Sequence, residues 1–186
     1  MGPSSAAIVL AAGAARRMGC CKALLPLGGR PLLLRHLDVL AEVVDEIIVV
    51  TGAYEDEVSA AARGHGAPVR LAHNPAWATT DMAASLAIGL AASGCARALC
   101  LPCDSVPAAA PALRALLAAE GVIALGHRGA PGHPVCADRA ALLGAVATGG
   151  LRALRPALLE AGDGLCLHNL NAPADLDALR AQVAWA

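Results

Sequence analysis

Short apolar runs alternate with longer amphipathic segments through most of this sequence of 186 residues. A short apolar run is typical of a buried strand, and a longer segment with apolar residues three or four positions apart is typical of a helix. The alternation predicts an α/β fold, a single three-layer α/β/α domain over residues 1–186 with a mostly parallel, Rossmann-like sheet. We predict strands at residues 6–10, 46–50, 69–72, 98–101, 122–125, 134–137 and 165–170. We predict helices at residues 31–44, 55–63, 82–92, 111–119, 140–147, 151–160 and 174–183.

The predicted strand ends indicate where a site should form. Ligands of such sheets bind beyond the carboxyl ends of the strands. This rule selects three places in the predicted fold: the loop after Leu10, the turn after Leu101 and the turn after Leu170. We therefore expect the functional site to be built from the segments that follow these three residues.

Charge and hydropathy exclude several classes of function. The formal net charge is −1, and no arm or tail concentrates basic residues, so nucleic-acid binding as a main role is not expected. The apolar run near the N-terminus is interrupted and ends in Arg16 and Arg17, unlike a signal peptide. No stretch of about 18 apolar residues is free of charges, glycine and proline. We therefore expect a cytoplasmic protein with no membrane span.

The sequence contains seven cysteines, an odd number. A domain of this length does not need disulfides to be stable, so we expect reduced thiols. Cys100 and Cys103 form a Cys-x-x-Cys motif, which could be redox-active or bind zinc. A redox motif should begin a helix, whereas this one ends a predicted strand, and two buried thiols are therefore favoured.

A loop of small and basic residues follows the first predicted strand. It contains Gly13, Arg17, Gly19 and Lys22. Small residues let the backbone approach a phosphate chain, and the two cations can neutralise its charge. The loop could also be a tight strand-to-helix turn with solvated cations. A dinucleotide-binding loop needs Gly-x-Gly-x-x-Gly at a helix start, which this spacing does not provide.

Asp104 follows a strongly apolar predicted strand. A carboxylate in this position can hold Mg²⁺ that bridges phosphate oxygens. An aspartate there could equally cap the next helix.

The segment from Leu10 to Lys22 resembles the signature Leu-Ala-Ala-Gly-x-Ser/Gly-x-Arg-Met-Gly-x-x-Lys of the MobA-like nucleotidyltransferases. Within that family, the sequence is most similar to the molybdenum cofactor cytidylyltransferases of the MocA type. Ala15 departs from the signature, and Asp81 replaces the glycine of a later Gly-Met-x-x-Ser-Leu motif. The resemblance extends from Ala6 to Leu176. It implies the nucleotide-diphospho-sugar transferase type of α/β fold. The positions that match the signature are Leu10, Ala11, Ala12, Gly13, Arg17, Met18, Gly19 and Lys22.

The resemblance implies a role for each matching residue. Catalytic roles fall on Arg17, Lys22 and Asp104, and metal binding falls on Asp104 and Asn171. A late Asn-x-Asn segment carries Asn171, which could alternatively cap the final helix. The acceptor-side residue is His133 of a Gly-His-Pro motif, and a lone histidine in a loop could alternatively be structural. The implied nucleotide-binding residues are Leu10, Ala11, Ala12, Gly13, Gly19, Asn74 and Ser85.

The implied reaction moves a nucleoside monophosphate from a nucleoside triphosphate to a phosphorylated acceptor, with Mg²⁺ as cofactor and pyrophosphate as leaving group. Leu-Ala-Ala-Gly favours CTP, whereas relatives that use GTP tend to have Leu-Ala-Gly-Gly. The implied acceptor is a phosphorylated pterin of the molybdenum cofactor type, and a molybdoenzyme is left open as a protein partner. The open alternatives are a guanylyltransferase, a transferase for another acceptor, a non-catalytic protein that delivers a pterin cofactor to a molybdoenzyme, and a nucleotide-dependent oxidoreductase.

Overall fold

The computed structural model describes residues 5–16 and 18–182. Its strands are β1 (Ser5–Ala11), β2 (Pro26–Leu27), β3 (Arg30–Pro31), β4 (Glu46–Thr51), β5 (Val69–His73), β6 (Arg97–Pro102), β7 (Ile123–His127), β8 (Ala130–Asp138) and β9 (Ala157–Glu160). Its helices are α1 (Leu32–Leu40), α2 (Glu55–Gly64), α3 (Met82–Ala92), α4 (Ala110–Ala118), α5 (Arg139–Thr148) and α6 (Pro173–Gln182).

Seven strands form one sheet in the order β5-β4-β1-β6-β8-β7-β9, and only β8 runs against its neighbours. The remaining pairs, β5–β4, β4–β1, β1–β6 and β7–β9, are parallel. Parallel strands need long crossover connections, and helices supply them here. The predicted α/β fold with a mostly parallel sheet is confirmed.

Helices cover both faces of the sheet. Alternate residues of β1 face opposite sides: Ala7 and Val9 pack with α1, α2 and α4, whereas Ile8 packs with α3 and α5. Helix α3 approaches the sheet closely at Gly89, where a Cβ atom would lie 2.5 Å from Cγ2 of Ile8. These two layers bury the central strands on both faces, which explains why their sequences are apolar throughout.

A third apolar cluster attaches α6 to the main body of the protein. Leu176 and Leu179 of α6 pack with Leu170, with Val106 after β6, and with Leu27 of the two-stranded β2–β3 ribbon. The C-terminal segment is thereby fixed near the carboxyl end of β6. This packing positions the residues just before α6, including Asn171.

Two predicted elements are wrong, and both lie in the last third of the chain. The predicted helix at 151–160 is a 3₁₀ turn, Gly150–Ala153, followed by β9, which pairs with β7. Pro156 lacks an amide proton and disfavours helical geometry in the residue before it. The predicted strand at 165–170 is a 3₁₀ turn, Leu165–Leu167, followed by an isolated β-bridge between Asn169 and Ser105.

Other boundaries differ by smaller amounts. Residues 126–133, between the strands predicted at 122–125 and 134–137, are mostly strand, because β7 and β8 form a hairpin around Arg128 and Gly129. Both residues have positive φ, of 50° and 80°, as tight hairpin turns require. The helix predicted at 31–44 ends at Leu40. Asp81 caps α3, since its Oδ1 accepts a hydrogen bond from the amide of Ala84 at 3.1 Å.

All seven cysteines are free thiols. Cys100 packs in the core on the α3 and α5 side of the sheet, whereas Cys103 packs in the core on the other side. Burial raises the pKa of both thiols well above the ordinary value. The Cys-x-x-Cys motif therefore presents two separate core residues, as the sequence favours. None of the helices in the described part of the chain is long and apolar enough to cross a membrane.

His36 is buried in the middle of α1, and its Nε2 lies 2.9 Å from the carbonyl oxygen of Ser105. Burial lowers the pKa of His36 from 6.5 to about 4, because the imidazolium form would lose its hydration. Between these two values the unfolded chain binds a proton that the folded protein does not. The contribution of neutral His36 to stability is therefore complete above pH 6.5 and is lost as the pH falls toward 4.

We expect the free energy of unfolding to decrease by about 3 kcal/mol between pH 7 and pH 4 on account of His36. Urea unfolding across this range measures the decrease. His36→Gln should flatten the pH profile, whereas His168→Gln, at a partly exposed position, should keep the wild-type slope. An unchanged slope in His36→Gln would contradict the assignment.

Candidate active site

The central strands β1 and β6 run parallel and end at the same edge of the sheet. Leu10 pairs in register with Pro102, and the amide of Cys103 donates to the carbonyl oxygen of Leu10 at 2.9 Å. The chain continues from β1 toward Lys22 and from β6 to Asp104. Because β4 and β5 lie on one side of β1 and β6 on the other, the strand order reverses here. A crevice at such a point is the usual ligand site of an open parallel sheet.

Three polar side chains from distant parts of the chain meet in this crevice. Nζ of Lys22 donates to Oδ2 of Asp104 at 2.7 Å and to Oδ1 of Asn171 at 2.9 Å. The side chains of Lys22 and Asp104 are only 16% and 18% exposed, so solvent screens this ion pair less than one on the open surface. One cationic atom therefore contacts an oxygen of each of the two residues that the sequence predicts as metal ligands.

Asn171 reaches the crevice through hydrogen bonds to the Asp104 turn. The amide of Leu170 donates to the carbonyl oxygen of Asp104 at 2.8 Å, and Asn169 forms its bridge with Ser105. The expectation that Asp104 and Asn171 lie close together therefore agrees with the structure. The predicted reason, a sheet strand before each residue, holds only for Asp104.

Asp175 fixes the backbone at the start of α6. Its Oδ2 accepts hydrogen bonds from the amides of Asn171 at 2.7 Å and Ala172 at 2.8 Å, and these bonds lower the pKa of Asp175. The side chain of Asn171 points elsewhere, with Oδ1 on Lys22 and Nδ2 donating to the carbonyl oxygen of Asn169 at 3.3 Å. Asp175, rather than the Asn171 side chain, therefore supplies the acceptor oxygen at this helix start.

A cleft of about 270 Å³ lies beside Lys22 and Asp104, and we call it the first cleft. Five of the predicted nucleotide-binding residues are in its wall, which is built mainly from the loop after β1 and the start of α3. Gly19 is not in the wall and adopts a positive φ of 65° in the following turn. The five wall residues are Leu10, Ala11, Ala12, Gly13 and Ser85.

Asn74 lies beneath the first cleft rather than in its wall. It is only 2% exposed, and Nδ2 donates to the hydroxyl oxygens of Thr80 and Ser85, both at 3.1 Å. Its Oδ1 accepts from the amide of Ala76 at 3.0 Å. These bonds occupy the amide group, so Asn74 orients Ser85 and the segment before α3. A direct contact between Asn74 and a nucleotide stays a prediction.

A second cleft, of about 650 Å³, meets the first at Asp104 and also contains Asn171. His133 of β8 is in its wall, and so are Arg152 of the Gly150–Ala153 turn and Arg155 just after it. Both arginines are exposed. Arg155 donates only to backbone carbonyl oxygens, and no carboxylate of the described residues pairs with either guanidinium. The second cleft therefore has positive charge available for an anionic ligand.

His133 is largely buried, and one of its ring nitrogens, Nδ1, has no hydrogen-bond partner among the described residues. Burial holds the pKa of His133 below its ordinary value, and the nearby carboxylate of Asp104 opposes this effect. A neutral imidazole is thus favoured at this position. Arg17, the remaining predicted catalytic residue, lies outside the described residues.

The sequence model of the MobA-like NTP transferase domain family matches residues 7–163 of the chain. The chain belongs to this family. A nucleotidyl transferase from Methanothermobacter thermautotroptrophicus is 29% identical, with a TM-score of 0.83 over 97% of each chain. This MobA-like protein is accordingly a nucleotidyltransferase by family. No curated protein matches the sequence.

Two less similar solved structures share the fold of the MobA-like protein. The protein Rv0371c of Mycobacterium tuberculosis, solved with manganese, is 23% identical, with a TM-score of 0.73 over 97% of this chain and 100% of the other. The CTP:phosphocholine cytidylyltransferase of Streptococcus pneumoniae is 14% identical, with a TM-score of 0.71 over 96% of this chain and 98% of the other.

The loop of this MobA-like protein explains one feature of the family signature. Ala15 stands where the signature has serine or glycine, and its φ is positive, at 47°. This region of backbone space favours glycine, because a Cβ atom crowds the following carbonyl. Ala15 is in the wall of the first cleft, so the departure from the signature changes the side chain there while keeping the turn.

Several residues that shape the MobA-like site are not predicted from the sequence. Arg152 and Arg155 lie in the segment with a predicted helix, where the run Leu-Arg-Ala-Leu-Arg gives no sign of a cleft. Gly52 follows β4 and lies against the loop after β1. A Cβ atom at Gly52 would be 2.4 Å from the carbonyl oxygen of Ala12. The dipeptide Thr51-Gly52 at a strand end is the available signal for that close approach.

We expect Gly52→Ala to displace Ala12 and to lower the free energy of unfolding by about 1–3 kcal/mol through overpacking. Urea unfolding measures the loss. Gly64→Ala is the matched control, because a Cβ atom there would have nothing within 4 Å, and it should be neutral or slightly stabilising at the end of α2. Equal stability of the two variants would show that the Ala12 loop tolerates a methyl group at Gly52.

Proposed function

We propose that this protein transfers the nucleoside monophosphate of CTP to a phosphorylated pterin of the molybdenum cofactor type and releases pyrophosphate. The observation that carries the proposal is that two clefts meet at Asp104, where Lys22 of the first cleft contacts both Asp104 and Asn171 of the second cleft. The first cleft has small residues that allow backbone amides to approach a triphosphate, and the second has arginines suited to an anionic acceptor. Two ligands bound in these clefts would meet at the same charged corner.

The donor set at this corner fits Mg²⁺. Asp104 offers a carboxylate oxygen and Asn171 a neutral amide oxygen, and both converge on one cationic atom, Nζ of Lys22. Mg²⁺ takes few protein ligands and completes its shell with phosphate oxygens and water. A divalent cation held by these two residues would supply positive charge to the reacting phosphates. The manganese in the Mycobacterium tuberculosis protein is consistent with this use of the fold.

The residues of the chain position the reactants and balance charge. An oxygen of the acceptor phosphate attacks the α-phosphorus in line, and the bond from that phosphorus to the pyrophosphate oxygen breaks. The acceptor phosphate is already ionised near neutral pH, so no general base is required. Lys22, and Arg17 of the signature, would offset the charge that grows on the leaving pyrophosphate. His133 would offer a neutral ring to the acceptor.

The choice of CTP and of a pterin rests on the sequence. The run Leu-Ala-Ala-Gly at residues 10–13 favours CTP over GTP, and CTP:phosphocholine cytidylyltransferase shares the fold. A pterin acceptor, and with it a molybdoenzyme as recipient of the product, follows from the resemblance to molybdenum cofactor cytidylyltransferases. A guanylyltransferase, a different phosphorylated acceptor and a non-catalytic cofactor-delivery protein are the competing outcomes.

Nucleotide binding and pyrophosphate release test the proposal in turn. Thermal shifts with CTP, GTP, ATP and UTP, each with and without Mg²⁺, identify the nucleotide, because a ligand that binds only the folded state raises its melting temperature. Pyrophosphate release is then measured with molybdopterin and with phosphocholine as an acceptor that lacks a pterin. We expect release with CTP and molybdopterin. Pyrophosphate release only with GTP would show that the protein uses GTP rather than CTP. Pterin binding without any pyrophosphate release would favour the non-catalytic cofactor-delivery protein.

We expect Asp104→Asn to lower turnover on the order of 10²–10³-fold, because it removes the one full negative charge of the proposed metal pair. Steady-state pyrophosphate release measures this loss, and a thermal melt confirms that the variant is folded. Glu120→Gln, at an exposed acid after α4, is the matched control and should keep wild-type turnover. Wild-type turnover in folded Asp104→Asn would remove Asp104 from the reaction.

We expect the double variant Arg152→Ala/Arg155→Ala to raise KM for the acceptor about tenfold, equal to about 1.4 kcal/mol, with KM for the nucleotide unchanged. The reason is that both guanidinium groups are in the wall of the second cleft only. Arg63→Ala, at an exposed position of α2, should change neither constant. A rise in KM for the nucleotide instead would show that the second cleft binds the nucleotide and not the acceptor.

A further inference from the structure

Lys22 is the only lysine of the chain, and the other thirteen of its fourteen basic residues are arginines. The two side chains differ in what they can do at a crowded corner. A lysine ammonium is a compact point charge on a flexible four-carbon stem, whereas a guanidinium is a broad planar fork. Nζ of Lys22 uses this compactness to contact Asp104 and Asn171 at the same time, at 2.7 and 2.9 Å.

We propose that Lys22 and the divalent cation compete for the same two oxygens, so that the ammonium must leave Asp104 and Asn171 before the cation binds tightly. The inference rests on the proposed function only for its second half: the leaving ammonium is received by the phosphates of the nucleoside triphosphate. Lys22 thereby makes tight cation binding depend on nucleotide.

The charges at the corner make simultaneous binding unfavourable. Asp104 contributes one negative charge and Asn171 contributes none. An ammonium and a divalent cation on the same carboxylate would leave an excess of positive charge at close range, in a region where the Lys22 side chain is only 16% exposed. Among the described residues, no group of three or more histidine, cysteine, aspartate or glutamate side chains is placed to hold a metal ion. The neighbouring carboxylate of Asp175 is not part of the pair that Lys22 contacts, because its Oδ2 accepts hydrogen bonds from the amides of Asn171 and Ala172.

The fold provides a place for the displaced ammonium. Lys22 begins the 3₁₀ turn Lys22–Leu24 and is in the wall of the first cleft, together with the small residues of the loop after β1. Rotation about its side-chain bonds can therefore carry the positive charge toward an anion in that cleft without moving the backbone. By linkage, a nucleotide that draws Lys22 away raises cation affinity, and the cation raises nucleotide affinity by the same factor.

Mn²⁺ is the probe, and electron paramagnetic resonance of the free ion measures its binding with no nucleotide or acceptor present. We expect Lys22→Met, which keeps the side-chain length and removes the charge, to bind Mn²⁺ at least about tenfold more tightly than the wild type. Lys22→Arg, which keeps the charge, should not show this gain. Lys22→Met/Asp104→Asn should lose the gain, which assigns it to the Asp104 oxygen. Equal or weaker Mn²⁺ binding by folded Lys22→Met would overturn the competition.

A second measurement uses the wild-type protein and does not depend on whether a variant folds. Because the chain has one lysine, labelling with ε-¹³C lysine gives a single side-chain resonance. Titration with Mg²⁺ and CTP together should shift it, as the ammonium leaves the carboxylate for the phosphates. An unmoved resonance at saturation would contradict the competition. Competitive Mn²⁺ binding in a protein that releases no pyrophosphate from any nucleotide would overturn the proposed function and leave the competition intact.

Discussion

The parallel pairing of β1 with β6 determines where the site of this protein lies. The two strands are buried on both faces, run in the same direction and end side by side. Their continuations therefore enter one crevice, one as a loop of small residues and the other as the turn that carries Asp104. Helix α1 supports that turn from below, because buried His36 contacts the carbonyl oxygen of Ser105. The rigid layers of the fold thus hold the turn of Asp104, and Lys22 contacts it from the end of a flexible four-carbon stem.

Few charged groups meet where the two clefts join. One ammonium and one carboxylate meet in a partly buried corner, and a neutral amide completes the contact. In the proposed competition, a triphosphate that arrives with its cation would exchange partners with this pair: the phosphates would receive the ammonium of Lys22, and Asp104 would receive the cation. The arginines of the second cleft, which have no carboxylate partner among the described residues, lie on the other side of the same corner from the first cleft.

The sequence is sufficient for the parts of the molecule that depend on local pattern. Runs of apolar residues predict β1, β4 and β6, and the family signature together with the strand-end aspartate indicates Lys22 and Asp104. The pattern fails where tertiary contacts override it. Proline at 156 and pairing with β7 convert a predicted helix into a turn and a strand. Arg152 and Arg155 cannot be predicted as cleft residues, because only the path of the chain after α5 brings them there. The closeness of Asn171 to Asp104 is predicted from a sheet strand over residues 165–170, and a single β-bridge takes the place of that strand.

The position of Asn171 also affects when the site can form during synthesis. Lys22 and Asn171 are 149 residues apart, and Asn171 lies beyond residues 7–163, which match the family model. At the usual rates of translation, Lys22 leaves the ribosome roughly 7 to 30 s before Asn171 does. During that interval β1 and its loop have no partner from the C-terminal segment, and α6 cannot yet add its leucines to the third cluster. A nascent chain therefore completes the corner of Lys22, Asp104 and Asn171 only after all the strands of the sheet have been synthesised.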